Sequence, residues 1–329
     1  MWGDMIMRCI LSTATAAALA LMALMAPAGA QTWPSKPVKL IVPFPAGGSA
    51  DTLSRLISQE LQDKLGQPFV VENRTGAGGN IGTDAVAKAP ADGATLLLTP
   101  SSVAIAPALY PKLTWDPVKD FEPITLIGSI PMVAVVHPAF PAKTMMELVA
   151  QAKARPGQIN YASGGNGTTN HLAVELFKAQ TGIDMVHVAY RGNPLAMIDV
   201  IGGHVPVFFD FVLTGAPHVR SGAVRALATT GAQRSSILPD LPTVIEAGVP
   251  GFEASTWFGV YAPAGTPKDM VTRMSDEIAA VLAAPNVKKR LAELGVEPMQ
   301  GGPAALGELT KSDLAKWGPV IQKAGLKLE

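Results

Sequence analysis

The chain has 329 residues, 48% hydrophobic and only 16% charged, with 26 Lys and Arg balancing 26 Asp and Glu. That composition excludes a disordered polyelectrolyte and a bulk binder of nucleic acid, and the length exceeds one ordinary core, so two domains are expected. The single cysteine, Cys9, lies near the amino terminus, so a processed chain has no disulfide, no thiol catalyst and no cysteine-based metal site.

Residues 1–30 read as a signal peptide. Arg8 precedes an apolar stretch over 9–25, and Ala28-Gly29-Ala30 before Gln31 is a small-x-small cleavage pattern, so cleavage is expected after Ala30. Asp4 is unusual in a leader and points to Met5 or Met7 as the start. The stretch is short for a membrane span and lacks a basic flank after it, and Cys9 precedes the apolar core where a lipoprotein cysteine would follow it. An exported, periplasmic protein is expected. Removing one acid, Asp4, and one base, Arg8, leaves the balance at zero.

The folded part starts at Trp33-Pro34 and runs through a strand at 38–42, a glycine turn, and a helix from Ser49 to Gly66. A strand at 69–72, a flexible turn, a helix over 81–89 and a strand at 94–98 ending in Thr99-Pro100-Ser101-Ser102 continue a β-then-α alternation. This predicts a parallel sheet with helices on its faces. Residues 123–137 are too long and apolar for one ordinary strand and are interrupted by Gly128 and Pro131; they read as a crossing into a second domain. That domain has a helix at 143–154, a strand at 159–162, a second glycine turn, a helix at 171–180, a strand at 185–190, a helix ending at Ile201, and strands at 205–211 and 223–229. Residues 238–249 read as loop with a short helix, 255–262 as the return crossing, and 267–283, 286–294 and 303–324 as helices. The expected domains are 31–130 with 256–329, and 131–255, with a cleft between them that suits hinge closure.

The two glycine turns carry the chemistry. In residues 43–55 (PFPAGGSADTLSR), Gly47 and Gly48 end a strand and open a helix, with Ser49 as expected N-cap and Asp51 in the first turn. Residues 163–169 (SGGNGTT) repeat the device. Each leaves first-turn N–H groups, the positive helix end and bare backbone aimed at one spot, which is an anion socket. Neither turn has the Lys and Ser/Thr pair of a nucleotide P-loop. Gly165-Asn166-Gly167 resembles a dinucleotide fingerprint, but Asn170 replaces its third glycine and Asp184 precedes its strand. Gly47-Gly48-Ser49-Ala50-Asp51 approaches a hydrolase elbow, yet ends in Asp. An exported serine hydrolase using Ser49 therefore stands as the alternative function, with His171, His187, His204 and His218 as available bases.

Other residues have two readings each. Arg191 reads equally as a bidentate carboxylate partner and as a surface ion pair. Asp210, in an apolar strand, needs a partner, either a ligand amine or a backbone cluster. Trp257 covers a ligand or packs the hinge. Ser101 and Ser102 lie at a strand's carboxyl end, where open sheets bind ligands. His171 and His187 read as packing residues, and no histidine pair has metal-ligand spacing.

The stretches PFPAGGSAD, VENRTGAGGNIGTDAVAKAPADG, YASGGNGTTNHLA, AYRGN, SGAVRALATTGAQRSSILPDLPTVIEAGVPGFE and WFGVYAPAGTP together resemble the substrate-binding receptors of tripartite tricarboxylate transporters, the Bug-type receptors, over nearly the whole chain after the leader. The resemblance implies an α/β type II periplasmic-binding-protein fold, in which two α/β domains joined by two crossing segments close on a small carboxylate. It implies no enzyme activity, no cofactor and no metal. It places ligand contacts at Phe44, Ala46, Gly47, Gly48, Ser49 and Asp51, and at Ser163, Gly165, Asn166, Gly167, Thr168 and Thr169. Ser101, Arg191, Asp210 and Trp257 complete the expected site. Asn170 stands where proline or a small residue is usual, Arg191 where lysine is, and Phe211 where asparagine is common; these departures spare the sockets and bear on the ligand's distal half. The implied partner is a two-component membrane permease, served by a monomeric receptor, with signalling through a sensor as a further alternative.

Overall fold

The computed structural model describes residues 33–299 and 301–323. The expected signal peptide and its cleavage site lie outside them. Among the described residues nine strands form one sheet, eight of them along the path β2, β1, β3, β9, β4, β7, β5, β6 and the ninth, β8, off that path and paired with β4. The first four elements are β1 (Val38–Val42), α1 (Ser49–Leu65), β2 (Phe69–Asn73) and, after a single 3₁₀ turn, α2 (Asn80–Ala87). β3 (Thr95–Pro100) leads into α3 (Ser102–Leu109). β1 pairs in parallel with β2 and β3, the register expected of β-α-β units.

The long apolar run forms one 16-residue strand, β4 (Phe121–Val136). Register shifts between Pro123 and Thr125, and between Leu126 and Gly128, let the strand bend past a missing N–H and a bare glycine. Gly128 is required by close approach: a Cβ there would lie 2.8 Å from the Glu297 carbonyl oxygen. β4 changes partners along its length. Residues 121–131 pair with β9 (Ser255–Pro263), and Met132–Val136 pairs with β7 (Val207–Phe211). β8 (Arg225–Thr229) pairs with the far end of β4 as well. Both expected crossings are therefore strands of the sheet, β4 outward and β9 on return.

Beyond the crossing come α4 (Met145–Ala154), β5 (Asn160–Ser163), α5 (Thr169–Thr181), β6 (Val186–Ala189), α6 (Asn193–Ile201) and α7 (Val212–Arg220). β5 is parallel to β6 and to β7. The chain ends with α8 (Lys268–Ala283), α9 (Pro285–Glu293) and α10 (Pro303–Lys323). Helices α3 and α7 are absent from the sequence reading. Each contains a proline, Pro107 or Pro217, that argues against a helix locally. Burial overrides that preference: Val103, Ala104, Ile105, Ala106 and Leu109 are buried in α3, and Val212, Leu213 and Ala216 in α7. The short helix expected within 238–249 is a series of turns, as Pro239, Pro242 and Pro250 break the ladder. A continuous core runs through both halves, with Leu40, Val42, Leu53 and Leu98 at one end and Val133, Val135, Tyr161 and Phe209 at the other.

Candidate functional site

Loop one, residues 43–48, turns from β1 into α1. Gly47 has φ +79°, a conformation that side chains rarely adopt. The Gly47 N–H donates to Asp51 Oδ2 (2.9 Å), and Arg55 forms an ion pair with the same carboxylate at 2.9 Å. Burial works against the Asp51 charge, but the hydrogen bonds from Arg55, Gly47 and Asn73 and the nearby guanidinium hold its pKa below the ordinary value. Asn73 Nδ2 in turn donates to the Phe44 carbonyl (2.9 Å). Asp51 thus braces the loop from within and does not line the cavity where the two loops meet. Ser49 is not the N-cap: Gly48 holds that place with φ −77° and ψ 170°, and the Ser49 hydroxyl, one residue too late to reach back, is buried without a partner.

Loop two, residues 164–168, turns from β5 into α5. Gly165 and Gly167 have φ +134° and +75°. Ser163 Oγ accepts from the Gly165 N–H (3.1 Å) and lies 2.6 Å from His187 Nε2. The Gly167 N–H donates to His171 Nδ1 (3.2 Å), and the Thr168 hydroxyl to the Gly165 carbonyl (2.8 Å). His171 and His187 stack at 3.9 Å between centroids, and His187 stacks on Tyr161 at 5.0 Å. Burial, chiefly, lowers the two histidines to about 4 and about 3, so both are neutral supports of the loop.

The loops meet around a cavity of about 30 Å³ lined by Phe44, Pro45, Gly48, Ser49, Ala50 and Pro100, by Ser102, Thr168, Thr169 and Asn170, and by Asn193, Pro194, Phe211 and Phe258. Five helix N-termini converge there: α1 at Gly48–Ser49, α3 at Ser102, α5 at Thr168–Thr169, α6 at Asn193 and α7 after Phe211. None of the five has a side-chain cap hydrogen bond, so first-turn N–H groups and helix dipoles face one space. No charged side chain lines it. Sequence reasoning found two of these termini; α6 was visible as a helix after Gly192, but α3 and α7 were not.

The walls touch. Gly192, at the start of α6, faces Pro45 of loop one, and Tyr110 donates to the Asn166 carbonyl (3.0 Å). Ser101, Thr169 and Thr256 form a triangle of hydroxyls with sides of 2.9, 3.3 and 3.3 Å. About 30 Å³ accommodates one or two waters.

Of the expected site residues, Phe44, Gly48, Ser49, Thr168 and Thr169 line the cavity, and Ser163, Gly165, Asn166 and Gly167 build the loop behind it. Ser101 lies in the hydroxyl triangle, and Ala46 is exposed. Arg191 is exposed beside Gly192 and lines no part of the cavity. Trp257 points the other way: strand alternation puts Thr256 and Phe258 on the cavity side, while the Trp257 indole donates to Asp313 in α10 (2.7 Å). Gly47 and Asp210 line an adjoining outer groove of about 420 Å³. A larger groove, about 490 Å³, lies at the ends of β4 and β9 away from both loops, and its Lys119 and Lys311 are ion-paired with Asp116 and Glu308.

Asp210 is buried, and Asn193 Nδ2 donates to it (2.7 Å). Burial pushes its carboxyl up to about 7, against hydrogen bonds from Thr214, Asn193 and the Phe211 backbone that favour the charge. A raised folded pKa contributes stability below the unfolded value that is lost as pH rises through about 7. Relative to Asp210→Asn, the wild type is therefore expected to lose melting temperature between pH 5 and pH 8. A difference independent of pH would show that Asp210 titrates normally.

Among the described residues, no His, Cys, Asp and Glu cluster could hold a metal, and no helix is long and apolar enough to cross a membrane. A family model described as the tripartite tricarboxylate transporter family receptor matches residues 53–326. Protein BugT of Bordetella pertussis is 39% identical over 306 residues, 92% of this chain and 94% of that protein. A Rhodopseudomonas palustris structure with adipate superposes with a TM-score of 0.87 at 37% identity, covering 90% of this chain and all of the other. The periplasmic binding protein BugD superposes with a TM-score of 0.86 at 36% identity and the same coverage. The fold is therefore the α/β fold of type II periplasmic binding proteins, with β4 and β9 as its crossing segments.

Proposed function

The chain belongs to the tripartite tricarboxylate transporter receptor family, and from that premise we propose that it is a periplasmic solute receptor capturing a small carboxylate between two closing lobes. The lobes are residues 31–130 with 256–329, and residues 131–255. One observation carries the reading: five uncapped helix N-termini face a cavity with no charged side chain. Such a space offers donors and positive dipole ends to an anion and nothing comparable to a cation. The first turn of α1, at Ser49 and Ala50, holds one carboxylate oxygen pair, and the first turn of α5, at Thr169 and Asn170, holds the other side. The contacts across the lip support reading this as a closed arrangement, from which the lobes part at β4 and β9 to admit an acid larger than the present cavity. The leader exports the chain, the receptor acts as a monomer, and a two-component permease of the same transporter type receives the ligand.

The hydrolase alternative has no support at Ser49, whose hydroxyl has no histidine partner; the Ser163–His187 pair belongs to a fully buried serine. Thermal unfolding of the processed protein against a carboxylate panel tests the proposal. A bound acid at one hundred times its dissociation constant adds about 2.7 kcal/mol, a rise of several degrees. Ser49→Ala is expected to weaken that acid by about tenfold, the loss of one charge-assisted hydrogen bond. Consumption of a panel member, abolished by Ser49→Ala, would establish the hydrolase instead.

A further inference from the structure

The chemistry of the cavity wall also bears on which carboxylates fit, an inference that rests on the proposed receptor function. Four of its six polar side chains are committed, the other two being the Ser49 and Ser102 hydroxyls at the α1 and α3 termini. Thr168 donates to the Gly165 carbonyl, Asn170 to the Phe209 carbonyl (2.7 Å), Asn193 to Asp210, and Thr169 belongs to the hydroxyl triangle. Ser49, at the α1 terminus, keeps an unpartnered buried hydroxyl. Donors are thus plentiful at the helix ends, and between them the wall is apolar: Phe44, Pro45, Pro100, Pro194, Phe211 and Phe258. Phe211 closes β7 and Phe258 sits in β9, and their rings meet edge to face at 6.2 Å with 71° between planes. They come from opposite sides of the crossing strand and form one aromatic surface.

Neither Asp51 nor Asp210, the buried carboxylates beside the cavity among the described residues, lines it. Asp210 alternates with Phe211 along β7, so it opens to the outer groove while Phe211 lines the cavity, and Asn193 occupies one of its oxygens. A ligand ammonium group in the cavity would meet no counter-charge, and a ligand hydroxyl placed between the carboxyl ends would meet aromatic carbon. A buried polar group without a partner is unfavourable enough to reject the ligand that carries it. We infer that this receptor selects acids with an unsubstituted apolar body, alkyl or aromatic, and excludes amino acids and hydroxy acids of the same length, with Phe211 and Phe258 as the residues that set the preference.

Titration calorimetry on matched acids tests this. The series are succinate, malate and aspartate; glutarate, 2-hydroxyglutarate and glutamate; and benzoate with terephthalate. Within a series the unsubstituted acid is expected to bind tightest, the hydroxy acid roughly tenfold weaker and the amino acid roughly a hundredfold weaker. Phe211→Asn, which places an amide donor and acceptor in the wall, is expected to shrink the hydroxy-acid gap below threefold, whereas Phe211→Leu keeps it. Aspartate or glutamate binding as tightly as succinate or glutarate overturns the inference and leaves the receptor function standing. Equal gaps in wild type and Phe211→Asn remove Phe211 from the selection. If no acid of any series binds, the carboxylate-receptor reading fails and this inference fails with it.

Discussion

Gly192→Ala is expected to lower carboxylate affinity about a hundredfold while leaving the protein folded. Gly192 has φ +120°, and a Cβ there would lie 2.6 Å from Pro45 Cδ and closer still to Cγ. Pro45 belongs to loop one and Gly192 to the segment entering α6, so the clash falls between the two walls of the cavity and not within either. Forcing an extra methyl into such a contact costs about 1–3 kcal/mol. If only the closed arrangement binds, that penalty enters the apparent affinity directly, because affinity scales with the population of the competent state. About 3 kcal/mol is roughly a hundredfold. The unusual φ adds local strain of about 1–3 kcal/mol, seen as a lower melting temperature without ligand. Pro45→Ala removes the ring atoms that the methyl would strike, so the double variant is expected to recover much of the affinity but none of the strain. Calorimetry on the four proteins separates the two effects. Equal affinities for wild type and Gly192→Ala would mean that contact at this lip is not part of the bound state.

The two glycine turns were legible in the sequence because a turn that needs positive φ must be written in glycine, and Gly47, Gly165 and Gly167 fill that role. The alternation of strands and helices and the two crossings were legible for a related reason: burial on both faces leaves long apolar runs at 123–137 and 255–262. The rest of the site was not. Helices α3 and α7 carry Pro107 and Pro217 and are held by burial that only the assembled sheet supplies. Ser102 was legible only as a residue at a strand's carboxyl end and Phe211 only as a departure from the family pattern, and without these helices neither could be placed in the wall. Side-chain direction was equally hidden: Trp257 and Phe258 are neighbours, and nothing in the sequence says which faces the cavity. The role of Asp51 was not legible either, since an acid in a first helical turn suits the dipole whether it meets a ligand or braces its own loop, as it does through Gly47 and Arg55.

Acid is expected to weaken the protein through loop two before it protonates the ordinary carboxylates. Burial is the main cause that holds His171 at about 4 and His187 at about 3, with Lys178 disfavouring both charges, His171 also disfavouring that of His187, and Glu175 opposing at His187. Folded pKa values below the ordinary histidine value of about 6.5 mean that the unfolded chain takes up protons first. Their stabilising contribution is therefore complete above pH 6.5 and is lost as pH falls towards 4 and 3. Each pKa unit corresponds to about 1.4 kcal/mol, so the buried His171 alone carries about 3 kcal/mol. Two such groups give a limiting slope of about 2.7 kcal/mol per pH unit. Asp210 runs the other way over the same range, so the measured slope should steepen in Asp210→Asn. The loss is specific in structure as well as in energy. A proton on His171 Nδ1 would replace the acceptor that Gly167 N–H needs, and a second proton on His187 would set two cations 3.9 Å apart in the stack with Tyr161. Binding through Thr169 and Asn170 should fail with it. His187→Phe keeps an aromatic ring in the stack and removes one proton site, so in the Asp210→Asn background its melting temperature should fall about half as steeply between pH 6 and pH 4 as that of Asp210→Asn alone. The Asp210→Asn slope retained in the double variant would place the acid-sensitive group elsewhere.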